Sequence, residues 1–190
     1  RHSTGRGQHV DFLWNNNATA IIVRAHSAVD ATGGSYYGTN DCFYLHVDGS
    51  VDMNLRPKRE GNIHDIQWDV YGRRFVMVYG NQPASATAFN LKGNAIAEFG
   101  SGSRNFAAYS PSGHLLTLAG FGSLKGAIEV WDHKTVKKAA IAESFAASTF
   151  LWAPDSRYFL TAVLADRMKV DNVVRIFSYD GTLIKEINKG

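Results

Sequence analysis

The feature that most constrains the fold is a unit of roughly 40 to 45 residues that occurs four times in this chain of 190 residues. Each unit has an aromatic residue, a turn cluster and then a run of apolar residues. The aromatic positions are 54, 41 and 43 residues apart, at Trp14, Trp68, Tyr109 and Trp152. A second set of anchors keeps the same phase, at Leu45, Phe89, Trp131 and Phe177. Such a unit, with four short strands, is typical of a β-propeller blade.

The apolar runs indicate strands that are covered on both faces. "FVMVY" at 75–79 and "LLTLA" at 115–119 do not alternate polar and apolar residues, which is typical of strands buried on both sides. Asp48-Gly49 and Asp180-Gly181 supply tight hairpin turns between outer strands. The alanine-rich segment 136–149 favours a helix by composition, but it fills the place of the outer strand in the third unit. We therefore predict a strand there.

These patterns predict an all-β, WD-repeat-like β-propeller made of four blades, each with four antiparallel strands. The chain is expected to be one propeller fragment over 1–190, with residues 1–9 a flexible or leftover piece of a preceding segment. Each blade buries one face against the next, so the two end blades should expose apolar surface that a neighbour or a second copy covers. The expected blade bounds are about 10–55, 63–99, 105–142 and 148–187.

Composition narrows the class of protein. A net charge of +3 and a pI near 9.0 permit contact with nucleic acid without requiring it. The single cysteine, Cys42, excludes an internal disulfide framework and indicates a reducing compartment. No run of 18 consecutive apolar residues occurs in the sequence, so no membrane-spanning helix is predicted.

A glycine-rich stretch at 120–126 is similar to a phosphate-binding loop. Gly120, Gly122 and Gly126 approach the spacing of a dinucleotide motif, but that motif needs a strand before the glycines and a helix after them. Here the glycines lie between two predicted strands. The sequence therefore predicts an architectural loop and no cofactor.

Catalytic and metal sites are not predicted either. His64-Asp65 is the one His-acid pair at the start of a blade strand, and no His-x-x-x-His or Cys-x-x-Cys spacing accompanies it. A hydrogen bond of His64 within its own blade is expected instead. No nucleophile elbow or oxyanion loop is spelled out. The four tryptophans fall at repeat positions, so we expect them to pack between blades rather than to stack on bases.

The loop sequences resemble the WD-repeat domain of the eukaryotic translation initiation factor 2A family. The likeness extends over residues 10–187, and its most specific motifs are Ser35-Tyr36-Tyr37-Gly38, Val78-Tyr79-Gly80, Leu118-Ala119-Gly120-Phe121-Gly122 and Glu129-Val130-Trp131-Asp132. The resemblance implies a propeller of about nine blades, of which these are the C-terminal four. It also implies a non-enzymatic, cytoplasmic role in placing initiator tRNA on start codons. The implied partners are the small ribosomal subunit, ribosomal RNA or initiator tRNA, and other initiation factors, but not DNA or a membrane.

Other functions stay open at this point. Subunit b of eukaryotic translation initiation factor 3 shares the architecture but resembles these loops less. A protein-interaction scaffold without RNA contact is one alternative. Another is a propeller of an extracytoplasmic or hydrolase-associated protein, because "SPSGHLL" and "APDSRYFL" are also similar to blades of such proteins.

The candidate contact surface is one rim of the propeller, where links between blades and loops between second and third strands emerge. Basic residues there are expected to bind RNA phosphates through counterion release rather than to read bases. A solvated face of mixed charge is the alternative, because Glu60, Glu143, Asp166 and Asp171 share the rim. The long loop 164–172 is the main expected contact. The predicted contact residues are Lys58, Arg59, Arg104, Lys125, Arg167 and Lys169.

Overall fold

The computed structural model describes residues 9–26, 40–163 and 172–189, and these form sixteen β-strands and no helix. They make four sheets of four antiparallel strands, each in simple sequence order. We number the sheets as blades one to four. Their strands are β1 (His9–Trp14), β2 (Ala20–His26), β3 (Asn40–His46) and β4 (Asp52–Asn54); β5 (Ile63–Trp68), β6 (Arg74–Tyr79), β7 (Ala84–Asn90) and β8 (Ala95–Gly102); β9 (Phe106–Tyr109), β10 (Leu115–Ala119), β11 (Ala127–Asp132) and β12 (Lys137–Glu143); and β13 (Thr149–Trp152), β14 (Tyr158–Val163), β15 (Asn172–Ser178) and β16 (Leu183–Lys189).

This architecture confirms the predicted fold class of four four-stranded blades. A ring of about nine blades stays a prediction. The described part of the chain contains no helix with the length and apolar character needed to cross a bilayer.

The alanine-rich segment is a strand, as its place in the repeat predicts. β12 pairs with β11 along the outer edge of blade three, and Ala140 and Ala142 alternate with exposed neighbours. The two buried alanines pack into the apolar cluster that joins blades three and four. Hydrogen bonding to β11 and burial of alternate side chains therefore outweigh the intrinsic helix preference of alanine.

Three apolar clusters hold successive blades together. The rings of Tyr44 in blade one and Phe75 in blade two lie 5.4 Å apart. Phe99 and Trp131 join blades two and three with ring centroids 5.5 Å apart, and Phe150 of blade four lies 5.5 Å from Phe106 of blade three. Aromatic rings, one of them Trp131 at a repeat position, thus fill the spaces between sheets.

The end blades expose apolar side chains, as predicted. Phe12 of β1 is 64% exposed and Leu151 of β13 is 60% exposed. Phe12 alternates along its strand with Leu13, which packs toward blade two, so Phe12 belongs to the outward face. Trp14 lies on that same outward face and is 52% exposed, so its expected packing between blades stays a prediction. What covers these faces stays a prediction.

The turn between the first two strands of every blade needs one left-handed residue at the same repeat position. These residues have φ values of 53°, 63°, 75° and 61° and are Ala18, Gly72, Gly113 and Ser156. Only two of the four are glycine, the residue that adopts this conformation without a steric penalty. Blade one therefore carries strain that blades two and three avoid.

Replacing Ala18 by glycine should stabilise the protein. The left-handed conformation costs alanine on the order of 1 kcal/mol more than glycine, and part of this gain is offset by the greater freedom of the unfolded chain. We expect about 0.5 kcal/mol more free energy of unfolding in urea titrations. Ala95→Gly, in the exposed strand position of β8, is the control and should lose about 0.5–1 kcal/mol. A lower free energy of unfolding for Ala18→Gly would contradict the proposed strain at this turn.

Candidate nucleic-acid interface

The rim that carries the candidate residues is built from two kinds of connection. Links between blades and loops between second and third strands lie at the same ends of the antiparallel strands. We call this surface the link rim. Its described segments are 55–62, 80–83, 103–105, 120–126 and 144–148.

Lys58 and Arg59 lie in the link before blade two, and both are exposed. The ammonium of Lys58 donates a hydrogen bond to Glu98 Oε1. That bond and the charge of Glu98 raise the pKa of Lys58. Arg59 Nη1 donates to Pro83 O at 2.9 Å, to Ser101 Oγ at 3.0 Å and to Ser85 Oγ at 3.1 Å. The structure thus brings two predicted contact residues together over blade two.

Arg104 is a correction to the predicted contact surface. Its side chain is 3% exposed, because the guanidinium points back into the space between β8 and β11 instead of outward. Nη2 donates to Glu129 Oε2 at 3.0 Å and Nη1 donates to Phe99 O at 3.3 Å. Burial lowers the pKa of Arg104, and the charge of Glu129 opposes that shift. Arg104 therefore holds blades two and three together and offers no exposed charge to a partner.

Lys125 lies at the tip of the loop 120–126 and is exposed. It forms no ion pair with the described part of the chain. The other two predicted contacts, Arg167 and Lys169, lie outside the described residues. Of the described rim cations from the prediction, Lys58, Arg59 and Lys125 thus remain accessible.

The glycine loop that carries Lys125 is architectural, as predicted, and lies between β10 and β11. A Cβ on Gly120 would lie 2.3 Å from Ser103 O, and one on Gly126 would lie 2.2 Å from Ser144 O. Both glycines let the loop touch the backbone of the flanking links. Asn105 fixes the loop from below: its Nδ2 donates to Phe121 O at 3.0 Å and its Oδ1 accepts from Phe121 N at 2.9 Å.

His64 has the structural role that the sequence predicts, and Asp65 has one that was not predicted. His64 Nε2 lies 2.8 Å from Gly80 O within blade two. Asp65 Oδ2 accepts from Ala107 N at 2.8 Å, which ties blade two to blade three. Burial raises the pKa of Asp65, partly offset by the hydrogen bond from Ala107. No group of three metal-ligating side chains occurs in residues 9–26, 40–163 and 172–189.

A pocket beside Lys58 and Arg59 was missed by the sequence analysis. Its polar walls come from Ser85 and Thr87, at alternate positions of β7, and from Glu98 and Ser101 of β8, which pair with Thr87 and Ser85 across a register shift. The available signal was the alternation of small and hydroxyl residues at 84–87. That alternation identifies a strand face, but it does not show that a basic link crosses it.

The sequence and fold are similar to those of known proteins. The sequence model described as "Eukaryotic translation initiation factor eIF2A" matches residues 5–190. A Dictyostelium discoideum protein named eukaryotic translation initiation factor 2A is 42% identical over 176 residues, covering 93% of this chain and 28% of that protein. The Drosophila melanogaster protein of the same name is 34% identical over 181 residues, covering 95% of this chain and 28% of that protein.

A solved structure described as a crystal structure of the eukaryotic initiation factor superposes with a TM-score of 0.83 at 29% identity. The match covers 97% of this chain and 43% of that one. The chain thus spans less than a third of the length of the two curated relatives described above. All four blades lie within the matched region.

Proposed function

The chain belongs to the eukaryotic translation initiation factor 2A family, and from this premise we propose that it is a non-enzymatic domain of a cytoplasmic translation initiation factor. In this proposal the domain binds the small ribosomal subunit and supports delivery of initiator tRNA or selection of the start codon. Its partners are ribosomal RNA or initiator tRNA, together with other initiation factors.

The observation that carries the proposal is the family match across residues 5–190. It includes every blade, so the similarity is not confined to a few structural positions. A plain interaction scaffold could share the propeller architecture. The family match includes the loops of the link rim as well as the strands, and this favours the initiation-factor function over a scaffold.

Accessible cations on rigid connections support RNA as the partner. Lys58 and Lys125 lie on a link and a loop of adjacent blades, and their backbone is held by packed neighbours. Gly61 lies so close to the next loop that a Cβ would be 2.5 Å from Asn81 N, which fixes the link that carries Lys58. Gly126 packs equally closely, with a Cβ position 2.2 Å from Ser144 O, and so fixes the loop that carries Lys125. Because the backbone is held in place, the ordering cost on binding phosphates is limited to the lysine side chains.

Reversal of two rim charges should weaken binding to purified small ribosomal subunits in a sedimentation assay. The variant Lys58→Glu with Lys125→Glu removes two phosphate contacts, so the salt slope of log K should fall by about 0.7–0.9 per contact. The matched control is Lys92→Glu with Lys134→Glu, in hairpin turns of the same two blades on the opposite rim. This control variant changes the net charge by the same amount as the rim variant, and its binding should keep most of the salt slope of log K. Arg167 and Lys169, reversed together, extend the assay to the loop proposed from sequence.

The same assay distinguishes RNA binding by the link rim from the alternative, a protein-interaction scaffold. If the rim variant sediments as the wild type does across the salt range, the link rim is not the RNA-binding surface. The protein-interaction scaffold then becomes the better hypothesis. If both double variants lose affinity equally, binding depends on net charge and not on this rim.

A further inference from the structure

A cavity of about 180 Å³ opens on the link rim in blade two. It lies between the link 55–62 and the strands β7 and β8. Among the lining residues, Ala86 is the one aliphatic side chain and Tyr79 the one aromatic side chain. The polar groups that line it are Lys58, Arg59, Ser85, Thr87, Glu98 and Ser101.

Arg59 is held in place at the wall of this cavity. All three hydrogen bonds that it makes with described residues leave from Nη1. They orient the guanidinium plane without using Nε or Nη2, whose N–H groups have no acceptor in the described part of the chain. An arginine fixed at one nitrogen keeps its remaining donors for an anion.

The hydroxyl groups beside Arg59 are also arranged as donors. Ser85 Oγ and Ser101 Oγ lie 3.1 Å apart, so one of them donates to the other and one O–H is left over. Both oxygens already accept from Arg59 Nη1. Below them, Tyr79 Oη and Thr87 Oγ1 bond to each other at 3.0 Å. The remaining serine O–H is therefore available to a ligand that accepts hydrogen bonds.

Glu98 is the one acid that lines the cavity, and it bonds to Lys58. The two side chains are 59% and 68% exposed. Exposed ion pairs contribute about 1 kcal/mol or less, so an incoming anion can exchange with the carboxylate at little cost. Glu98 therefore occupies the position of an anion beside Lys58 when no ligand is bound.

From this arrangement we propose that the cavity binds one phosphate of an RNA backbone, and that Glu98 holds Lys58 until the phosphate replaces it. The proposal rests on the proposed function for its choice of ligand. An acidic peptide would need apolar anchors to bind tightly, and the apolar side chains that line the cavity, Ala86 and Tyr79, are only 1% and 3% exposed. A backbone phosphate needs only the donors that Arg59, Lys58 and the serine supply.

The test measures binding of a ten-nucleotide uridine RNA to the protein by fluorescence anisotropy at low salt. Glu98→Gln should tighten binding about three- to five-fold, because it frees Lys58 and removes a competing charge. Arg59→Gln should weaken binding about ten-fold. Glu143→Gln is the control: it removes an exposed acid on the same rim, but outside the cavity, and should change affinity less than two-fold.

Each outcome decides the proposal. Equal tightening by the Glu98 and Glu143 variants, or no change on loss of Arg59, would overturn it. If a ten-residue polyglutamate peptide displaces the labelled RNA as effectively as unlabelled RNA does, the cavity would be assigned to acidic peptides instead. If the RNA binds as expected but small subunits do not sediment with the protein, the cavity stands and the proposed function fails. If small subunits bind the protein but the cavity variants do not change its affinity for the RNA, the proposed function stands and the cavity proposal fails.

Discussion

Gly126→Ala is expected to lower the free energy of unfolding by about 3–4 kcal/mol. A Cβ there would lie 2.2 Å from Ser144 O and 2.6 Å from Ser144 C, and φ is +77°. Both atoms belong to backbone, so no side chain can rotate away. Displacing packed atoms costs about 1–3 kcal/mol, and the left-handed conformation adds on the order of 1 kcal/mol for alanine.

Two other glycines of the same loop separate these two causes. A Cβ on Gly122, with φ +68°, would meet nothing within 4 Å, whereas on Gly120 it would lie 2.3 Å from Ser103 O with φ outside the left-handed region. Gly122→Ala should therefore lose about 1 kcal/mol through strain alone. Gly120→Ala should lose about 2–3 kcal/mol through the close contact alone. The sum of the two should approach the loss at Gly126.

Urea titrations of the three variants provide the measurement. Equal losses at Gly122 and Gly126 would contradict the close packing of the loop on the link to blade four. Small losses at all three positions would mean that the glycines serve something other than packing, and the phosphate-loop interpretation would have to be reopened.

Glu129→Ala is expected to lower the free energy of unfolding by about 3–5 kcal/mol, because it leaves a buried guanidinium without its carboxylate. Glu129 accepts from Arg104 Nη2 at 3.0 Å, from Trp131 Nε1 at 3.2 Å and from Lys138 Nζ at 2.5 Å. Lys138 is exposed and can regain water, whereas Arg104 is 3% exposed and cannot. The loss of the Arg104 partner should therefore dominate.

A more exposed ion pair of the same residue types is the control. Arg175 and Glu186 in blade four lie 2.7 Å apart with 22% and 38% of their side chains exposed, so Glu186→Ala should lose about 1 kcal/mol or less. The two unfolding curves are compared in the same buffer. Similar losses would show that burial of Arg104 does not strengthen its dependence on Glu129.

The sequence predicted the fold because the information needed for it is local. The apolar runs that become β6 and β10, and the turn residues around Gly72 and Gly113, each specify a strand or a turn within a few residues. Their recurrence in phase then specifies blades, since a single such sheet leaves its apolar faces uncovered. The same local order showed that the glycines of 120–126 lie between two strands.

The sequence alone did not determine which rim charges are accessible. Arg104 and Glu129 are 25 residues apart in sequence, and Lys58 and Glu98 are 40 apart. A long basic side chain in a link can extend into water or fold back between sheets with little difference in local backbone. Which orientation the side chain adopts depends on whether a carboxylate from another strand lies in the space between the blades.

Trp14 illustrates the same limit for apolar residues. It occupies the repeat position that Trp68 and Trp152 occupy, yet it is 52% exposed while Trp152 is 6% exposed. Residue type and repeat phase are the same, but within the described residues blade three packs on the face that carries Trp152 and no sheet packs on the face that carries Trp14. Local sequence thus determined the strands, turns and blades, whereas burial and charge pairing were decided by which sheet packs on which face, because both depend on atoms brought together from distant parts of the chain.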